Sequence, residues 1–216
     1  MLFENLKIRD VNLKNRVVVS PMCQYSAKDG YVQTHHKTHY GQLAMGGAGL
    51  VFLEATGVTA QGRITNGCLG IWDDKQIDGL KEITQSIKVF GSIPAIQLAH
   101  AGQKASMQRP WHGNGPQTRV DTDRGDIIWE PIAPMDRPLD EGWLKPKKMD
   151  RKELDEVREA FVKAAERSIE AGFEVLEIHM AHGYLLHSFL SPLSNSRNDK
   201  YGGSIDNRMR FPMEVV

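Results

Sequence analysis

Val175-Leu176-Glu177-Ile178-His179-Met180-Ala181-His182-Gly183-Tyr184 is the stretch on which the fold turns. It opens as a short apolar run, which reads as a buried strand. It then delivers two histidines, a glycine and a tyrosine at the strand's C-terminal tip. A (β/α) barrel gathers its chemistry at that end of its strands. Just upstream, Leu154, Val157, Phe161, Ala165 and Ile169 fall on one helical stripe. Asp150 and Glu153 give that helix a box-like N-cap, and Gly172 closes it.

Working outward, the same unit recurs. Residues 93–100, from Ile93 to His100, predict a strand. A helix over residues 74–90 precedes it, with Ile77, Leu80, Ile83, Ile87 and Phe90 three or four apart and Gly91 as its stop. Residues 49–56 predict another strand, after a helix over residues 35–46 that Thr34 would cap. The first buried strand is read over Val17 to Cys23, and residues 1–16 alternate as a hairpin. Residues 101–149 break the rhythm with six prolines and three tryptophans. Loops of that length are usually functional or disordered, and the aromatics favour an ordered lid over the site. Downstream, Tyr201-Gly202-Gly203-Ser204 leads into a last helix, which Pro212 is expected to kink or stop.

Four strands alternating with helices predict an α/β fold with parallel crossovers. The reading is one domain over residues 1–216: the first four βα units of a TIM (β/α)8 barrel, with an N-terminal hairpin and a long loop after the third strand. Its two outer strands would lack a neighbour. The chain stops inside the last helix, so the sequence is expected to be a piece of a longer protein. The alternative is that two such halves associate to close one barrel.

Lys+Arg and Asp+Glu both number 27, for a net charge of zero, which gives no electrostatic case for nucleic acid or an anionic membrane. No apolar run approaches the roughly 20 residues of a membrane span. The start, Met1-Leu2-Phe3-Glu4-Asn5, lacks a signal peptide's features. A cytoplasmic location is expected, with Cys23 and Cys68 both reduced. His35 and His39 lie four apart on a helix but have no carboxylate or cysteine beside them, so they are read as structural and no metal site is expected.

The strand tips carry a family resemblance. Ser20-Pro21-Met22-Cys23-Gln24-Tyr25, Glu54-Ala55-Thr56, Gln97-Leu98-Ala99-His100-Ala101-Gly102 and His179-Met180-Ala181-His182-Gly183-Tyr184 resemble the Old Yellow Enzyme family of FMN-dependent ene-reductases. So does Phe189-Leu190-Ser191-Pro192-Leu193-Ser194-Asn195-Ser196-Arg197, with Tyr201-Gly202-Gly203-Ser204 and Asn207-Arg208 after it. Cys23 and the His-x-x-His pair are similar to the thermophilic-like bacterial branch. Gln103 departs from the arginine usual there.

The resemblance implies FMN as cofactor and NADPH, or NADH, as hydride donor. It implies a small enone-type substrate and a homo-oligomer for the intact protein. On it, Ser20, Pro21, Met22, Cys23, Ala55 and Gln97 line the flavin, and Tyr25 contacts substrate or flavin. His179 and His182 hold the substrate carbonyl, and Tyr184 gives the proton. Two preset N–H donors suit an oxygen that gains charge in the transition state. Two alternatives stand beside it: a related dienoyl-CoA reductase or amine dehydrogenase-like barrel with an iron–sulfur module, and a catalytically silent half-barrel that needs a partner.

Overall fold

A computed structural model describes residues 1–216. The chain starts with a hairpin, in which β1 (Leu6–Ile8) pairs antiparallel with β2 (Val11–Leu13). Leu13 is buried with Leu50 and Ala95, so the hairpin packs against the N-terminal end of the main sheet. Next come β3 (Val18–Val19), α1 (Thr34–Met45), β4 (Leu50–Gly57), α2 (Ile77–Val89) and β5 (Ile93–Ala99). The long connection holds α3 (Arg119–Asp123) and a small parallel pair, β6 (Ile132–Ala133) with β7 (Lys147–Lys148). Beyond it lie α4 (Arg151–Glu170), β8 (Val175–Ile178), α5 (Leu185–Leu190) and α6 (Ile205–Val215).

The main sheet has the order β3-β4-β5-β8, and every pairing in it is parallel. This is the predicted series of βα units. β3 and β8 each pair on one side only. On one face, Val51, Leu53, Ile96 and Leu98 pack with Leu80, Ile83 and Ile87 of α2 and Leu154, Val157 and Phe161 of α4 in a single core cluster. Fully burying each such side chain is worth about 1.5–3 kcal/mol relative to exposure. A hollow of about 400 Å³, lined by Leu6, Val11, Val18, Phe52 and Val175 among others, lies toward the N-terminal strand ends, away from the histidine tip.

The β4–β5 ladder has one irregularity. Leu53 pairs with Ile96 and Ala55 with Gln97, so Glu54 has no partner of its own. Such a bulge bends a strand and re-aims a side chain.

Several boundaries differ from the sequence reading. The sequence predicts the first strand over Val17 to Cys23, but only Val18–Val19 pair. Beyond Val19 the chain leaves the sheet, and Pro21 has no N–H to donate to a ladder. Gln33, not Thr34, precedes α1, and its N–H donates to His36 Nδ1 at 3.0 Å. Pro212 does not stop α6. It is buried in the last turns beside Phe211, whose ring lies 4.7 Å from that of Phe189, so tertiary packing outweighs the lost hydrogen bond. α5 has no counterpart in the sequence reading. The Asp150 cap forms as the sequence predicts, with its side chain accepting from Glu153 N–H at 3.1 Å.

Candidate active site

The tip after β8 is built by a tight reversal. Tyr184 N–H donates to Ala181 O at 3.1 Å, and the two central residues, His182 and Gly183, both have positive φ, 57° and 75°. That pairing of left-handed residues belongs to type I′ turns. Glycine is free there, whereas histidine adopts φ > 0 only at some cost. A Cβ on Gly183 would also sit 3.2 Å from Lys104 Cε. The reversal folds three rings together: the His179 and His182 centroids are 5.1 Å apart, His179 and Tyr184 4.8 Å, and His182 and Tyr184 6.4 Å.

The hydrogen bonds assign the His179 tautomer. Nδ1 accepts from Ala181 N–H at 3.2 Å, so the proton of the neutral ring sits on Nε2. Burial, with the neighbouring His182 ring, pushes its pKa below the usual histidine value, so the ring is neutral at pH 7. His179 is 6% exposed. It is therefore an aimed, uncharged N–H donor.

Lys104 braces the turn, its Nζ donating to His182 O at 2.6 Å and lying 5.8 Å from the Tyr184 ring centre. Replacing Lys104 by Met is expected to loosen the turn by about 1 kcal/mol, the net worth of one hydrogen bond. Hydrogen–deuterium exchange should then run about fivefold faster at the Gly183 and Tyr184 amides, with β8 unchanged. Equal protection in both proteins would show that Lys104 braces nothing.

The other site residues predicted from the sequence converge on the same end of the sheet. Cys23, Tyr25 and Tyr184 all pack against one cluster that contains Ala55, Cys68 and Ala99. Both cysteines are free. Burial is the first cause raising the Cys23, Tyr25 and Tyr184 pKa values, so all three hold their protons at neutral pH. Ser20, Pro21 and Met22 lead into this cluster along a surface segment, and the Met22 side chain is exposed. Register sets Ala55 beside Gln97, and Gln97 beside Glu177. The Gln97 amide nitrogen donates to Glu177 Oε1 at 2.6 Å, which takes up one of its two N–H groups and leaves its carbonyl oxygen to accept. The long connection is ordered, and its Trp111 ring meets the Tyr25 ring edge-on at 6.2 Å. Trp129 Nε1 ties it to Gln61 O at 2.8 Å.

Glu54 belongs to a tip motif in the sequence, but no role for it can be read there. It is fully buried behind the Cys23–Tyr25 loop. Oε2 accepts from Gln24 N–H at 2.9 Å, and Oε1 lies 3.2 Å from the Tyr40 hydroxyl and 3.5 Å from His36 Nε2. Burial raises its pKa to about 7 and lowers that of His36 to about 4. The two shifts act on stability with opposite signs. A folded Glu54 that binds its proton more tightly than the unfolded chain loses stability as pH rises toward 7. A folded His36 that refuses a proton gains stability as pH rises from about 4 to 6.5. The signal in the sequence is one charge inside the otherwise apolar run Gly49-Leu50-Val51-Phe52-Leu53-Glu54-Ala55. His35 and His39 stack at 5.8 Å. His35 Nε2 lies 3.2 Å from Gln24 Oε1.

The set of groups suits a flavin: a thiol, a carboxamide oxygen, a small alanine and two imidazoles gather at one end of the sheet. An amide oxygen complements a pyrimidine N–H.

Comparison with known proteins points the same way. The family profile described as "NADH:flavin oxidoreductase / NADH oxidase family" matches residues 1–216. The NADPH dehydrogenase of Bacillus licheniformis is 48% identical over 217 residues, taking in 100% of this chain and 58% of that protein. The NADPH dehydrogenase of Bacillus subtilis is 46% identical over 217 residues, again 100% of this chain and 58% of its own length. Among solved structures, morphinone reductase matches with a TM-score of 0.83 at 30% identity, over 99% of this chain and 57% of its own. The Old Yellow Enzyme from Pichia sp. AKU4542 gives 0.84 at 30% identity, over 99% and 54%. The chain thus spans somewhat over half the length of these relatives.

Proposed function

The chain belongs to the NADH:flavin oxidoreductase / NADH oxidase family, and from that premise we propose that it forms part of an FMN-dependent NAD(P)H oxidoreductase that reduces the activated C=C bond of α,β-unsaturated carbonyl compounds. The observation that carries this reading is the meeting of His179, His182 and Tyr184 within 4.8–6.4 Å, ring to ring. Residues 1–216 act as one flavin-binding domain part, with NADPH preferred as reductant, as the names of the Bacillus relatives suggest. Bound FMN supplies the hydride that reduces the β-carbon.

The residues do the rest. Cys23, Ala55 and Gln97, with Ser20, Pro21 and Met22, hold the ring. Gln97 accepts from its pyrimidine edge, and Ala55 leaves room for close approach. His179 Nε2–H and His182 grip the substrate carbonyl oxygen and stabilise the negative charge that develops there. Tyr184 Oη keeps its proton at neutral pH and transfers it to the α-carbon as the β-carbon is reduced, so a C–H bond forms at each carbon of the former alkene. Tyr25 and Trp111 border the same space and limit access of water.

An anaerobic titration with a para-substituted phenol tests the site. Flavin-loaded protein is expected to give a long-wavelength charge-transfer band as the phenolate settles between the histidines and the flavin. Lack of the band, or its persistence when His179 and His182 are both alanine, would sink this reading.

A further inference from the structure

We propose that Glu54 is a positioning residue for Cys23: from the bulge in β4 its buried carboxylate holds the strained Cys23–Tyr25 tip and brings a second acidic group close to the Cys23 thiol. That Cys23 faces a flavin rests on the function proposed above, but the link between Glu54 and Cys23 does not.

Five observations converge on it. Glu54 is the one residue that the β4–β5 register skips, so its side chain is freed from the ladder's alternation. It is 0% exposed. It accepts from the Gln24 N–H, immediately after Cys23, at 2.9 Å. The next residue, Tyr25, has φ 50°, an unfavourable region for an aromatic side chain. Such strain persists only where the surroundings over-determine it. From the other side, Gly67 closes on the same loop: a Cβ there would lie 2.2 Å from Tyr25 O. The tip is therefore clamped between a backbone contact and a carboxylate.

The groups around Glu54 fix the sign of its effect. From α1, His36 and Tyr40 face it, with His39 behind Tyr40 at 5.0 Å. From the tip come Cys23 and the Tyr25 backbone, and from the loop after β4 comes Cys68. β5 carries no titratable residue. His36 accepts from Gln33 N–H through Nδ1, so its Nε2–H is the end turned toward Glu54. No Lys or Arg pairs with Glu54; His36 is its only neighbour within ion-pair range. Burial is the main cause that keeps the Cys23 proton in place and Cys68 the next; a negative Glu54 adds to them, and a neutral Glu54 does not. With Glu54 titrating at about 7, thiol ionisation is easier below that pH than above it.

The experiment is the iodoacetamide reaction of the 216-residue chain without flavin, followed from pH 6 to 9, with the adduct on Cys23 located by peptide mass. The rate follows the thiolate fraction. In the parent chain its logarithm should climb with less than unit slope through pH 7, as Glu54 charges and holds the thiol back. In Glu54→Gln the climb should be straight, and at pH 8.5 the rate should exceed the parent's about three- to tenfold, the effect of half to one pKa unit. Tyr40→Phe removes a donor to the carboxylate and should move the inflection to higher pH. This variant keeps the test decisive if Glu54→Gln does not fold. A Glu54→Gln profile that overlays the parent's, or an inflection that Tyr40→Phe leaves in place, overturns the proposal. Because no flavin is present, either result counts against the role of Glu54 alone, while a missing phenol band counts against the oxidoreductase reading alone.

Discussion

Flavin-loaded protein with His179→Ala is expected to reduce a cyclic enone about 10²–10³ times more slowly than the parent, the usual loss of one preset oxyanion donor. His179 is the better anchored of the two imidazoles. It is 6% exposed and comes directly after β8, where its N–H donates to Leu98 O at 2.9 Å, whereas His182 stands exposed on a turn. Its ring needs no rearrangement to donate, because Ala181 N–H already fixes the tautomer. The pH dependence is set by the sign of its shift. A pKa held below the usual histidine value by burial leaves the ring neutral from neutral pH upward, so no inflection from His179 is expected between pH 7 and 8. His179→Asn should recover part of the rate, since an amide N–H can point the same way. Stopped-flow reoxidation of the reduced flavin by the enone isolates the step. If His179→Ala reoxidised at the parent's rate with an unaltered circular dichroism spectrum, the imidazole would have no part in the chemistry.

The parts of this site that lie along one strand are legible in the sequence, and those that need two strands are not. His179, His182 and Tyr184 stand out because a single apolar run ends in them. Ala55 and Gln97 are legible as tip residues, but their pairing side by side depends on a register that no local pattern encodes. The role of Glu54 is hidden for the same reason: a bulge exists only relative to the partner strand. The partner of Gln97 is also out of reach, because Glu177 is 80 residues away and meets it only through the β5–β8 pairing. α5 escapes detection because Leu185–Leu190 spans six residues, too few for a helical period to stand out. The aromatics of the long connection are enough to predict an ordered lid. They do not show what orders it, since its ties pair distant residues: some lie within it, such as Arg109 with Asp126, and others reach it from Gln61 and Arg197.

Arg197 supplies a buried pair of those outside ties, and Arg197→Ala is expected to cost about 2–4 kcal/mol of folding stability, chiefly by orphaning two buried carbonyls at about 1–3 kcal/mol each. Nη1 donates to Pro134 O at 3.1 Å and to Met149 O at 2.8 Å, while Nε and Nη2 hold the Asp199 carboxylate. Pro134 and Met149 come directly after the strands β6 and β7, which pair inside the long connection, and Met149 N–H also donates to Ala133 O at 2.9 Å. One guanidinium thus joins the lid, the N-cap of α4 at Asp150 and the loop beyond α5. The Asp199 side chain is 43% exposed, so that ion pair adds little by itself. The two carbonyls dominate the cost, because water cannot replace the lost donor in a site where Arg197 is only 6% exposed. Arg197→Lys should recover only a minor share: an ammonium is a point charge and cannot span two carbonyls and a carboxylate as a planar fork does. Urea unfolding gives the cost, and exchange protection of the Lys147–Met149 amides shows where it falls. A midpoint within about 0.5 kcal/mol of the parent's, the usual range for an inert surface substitution, would mean that the lid is held by its own contacts. In that case Arg197 would merely accompany its order.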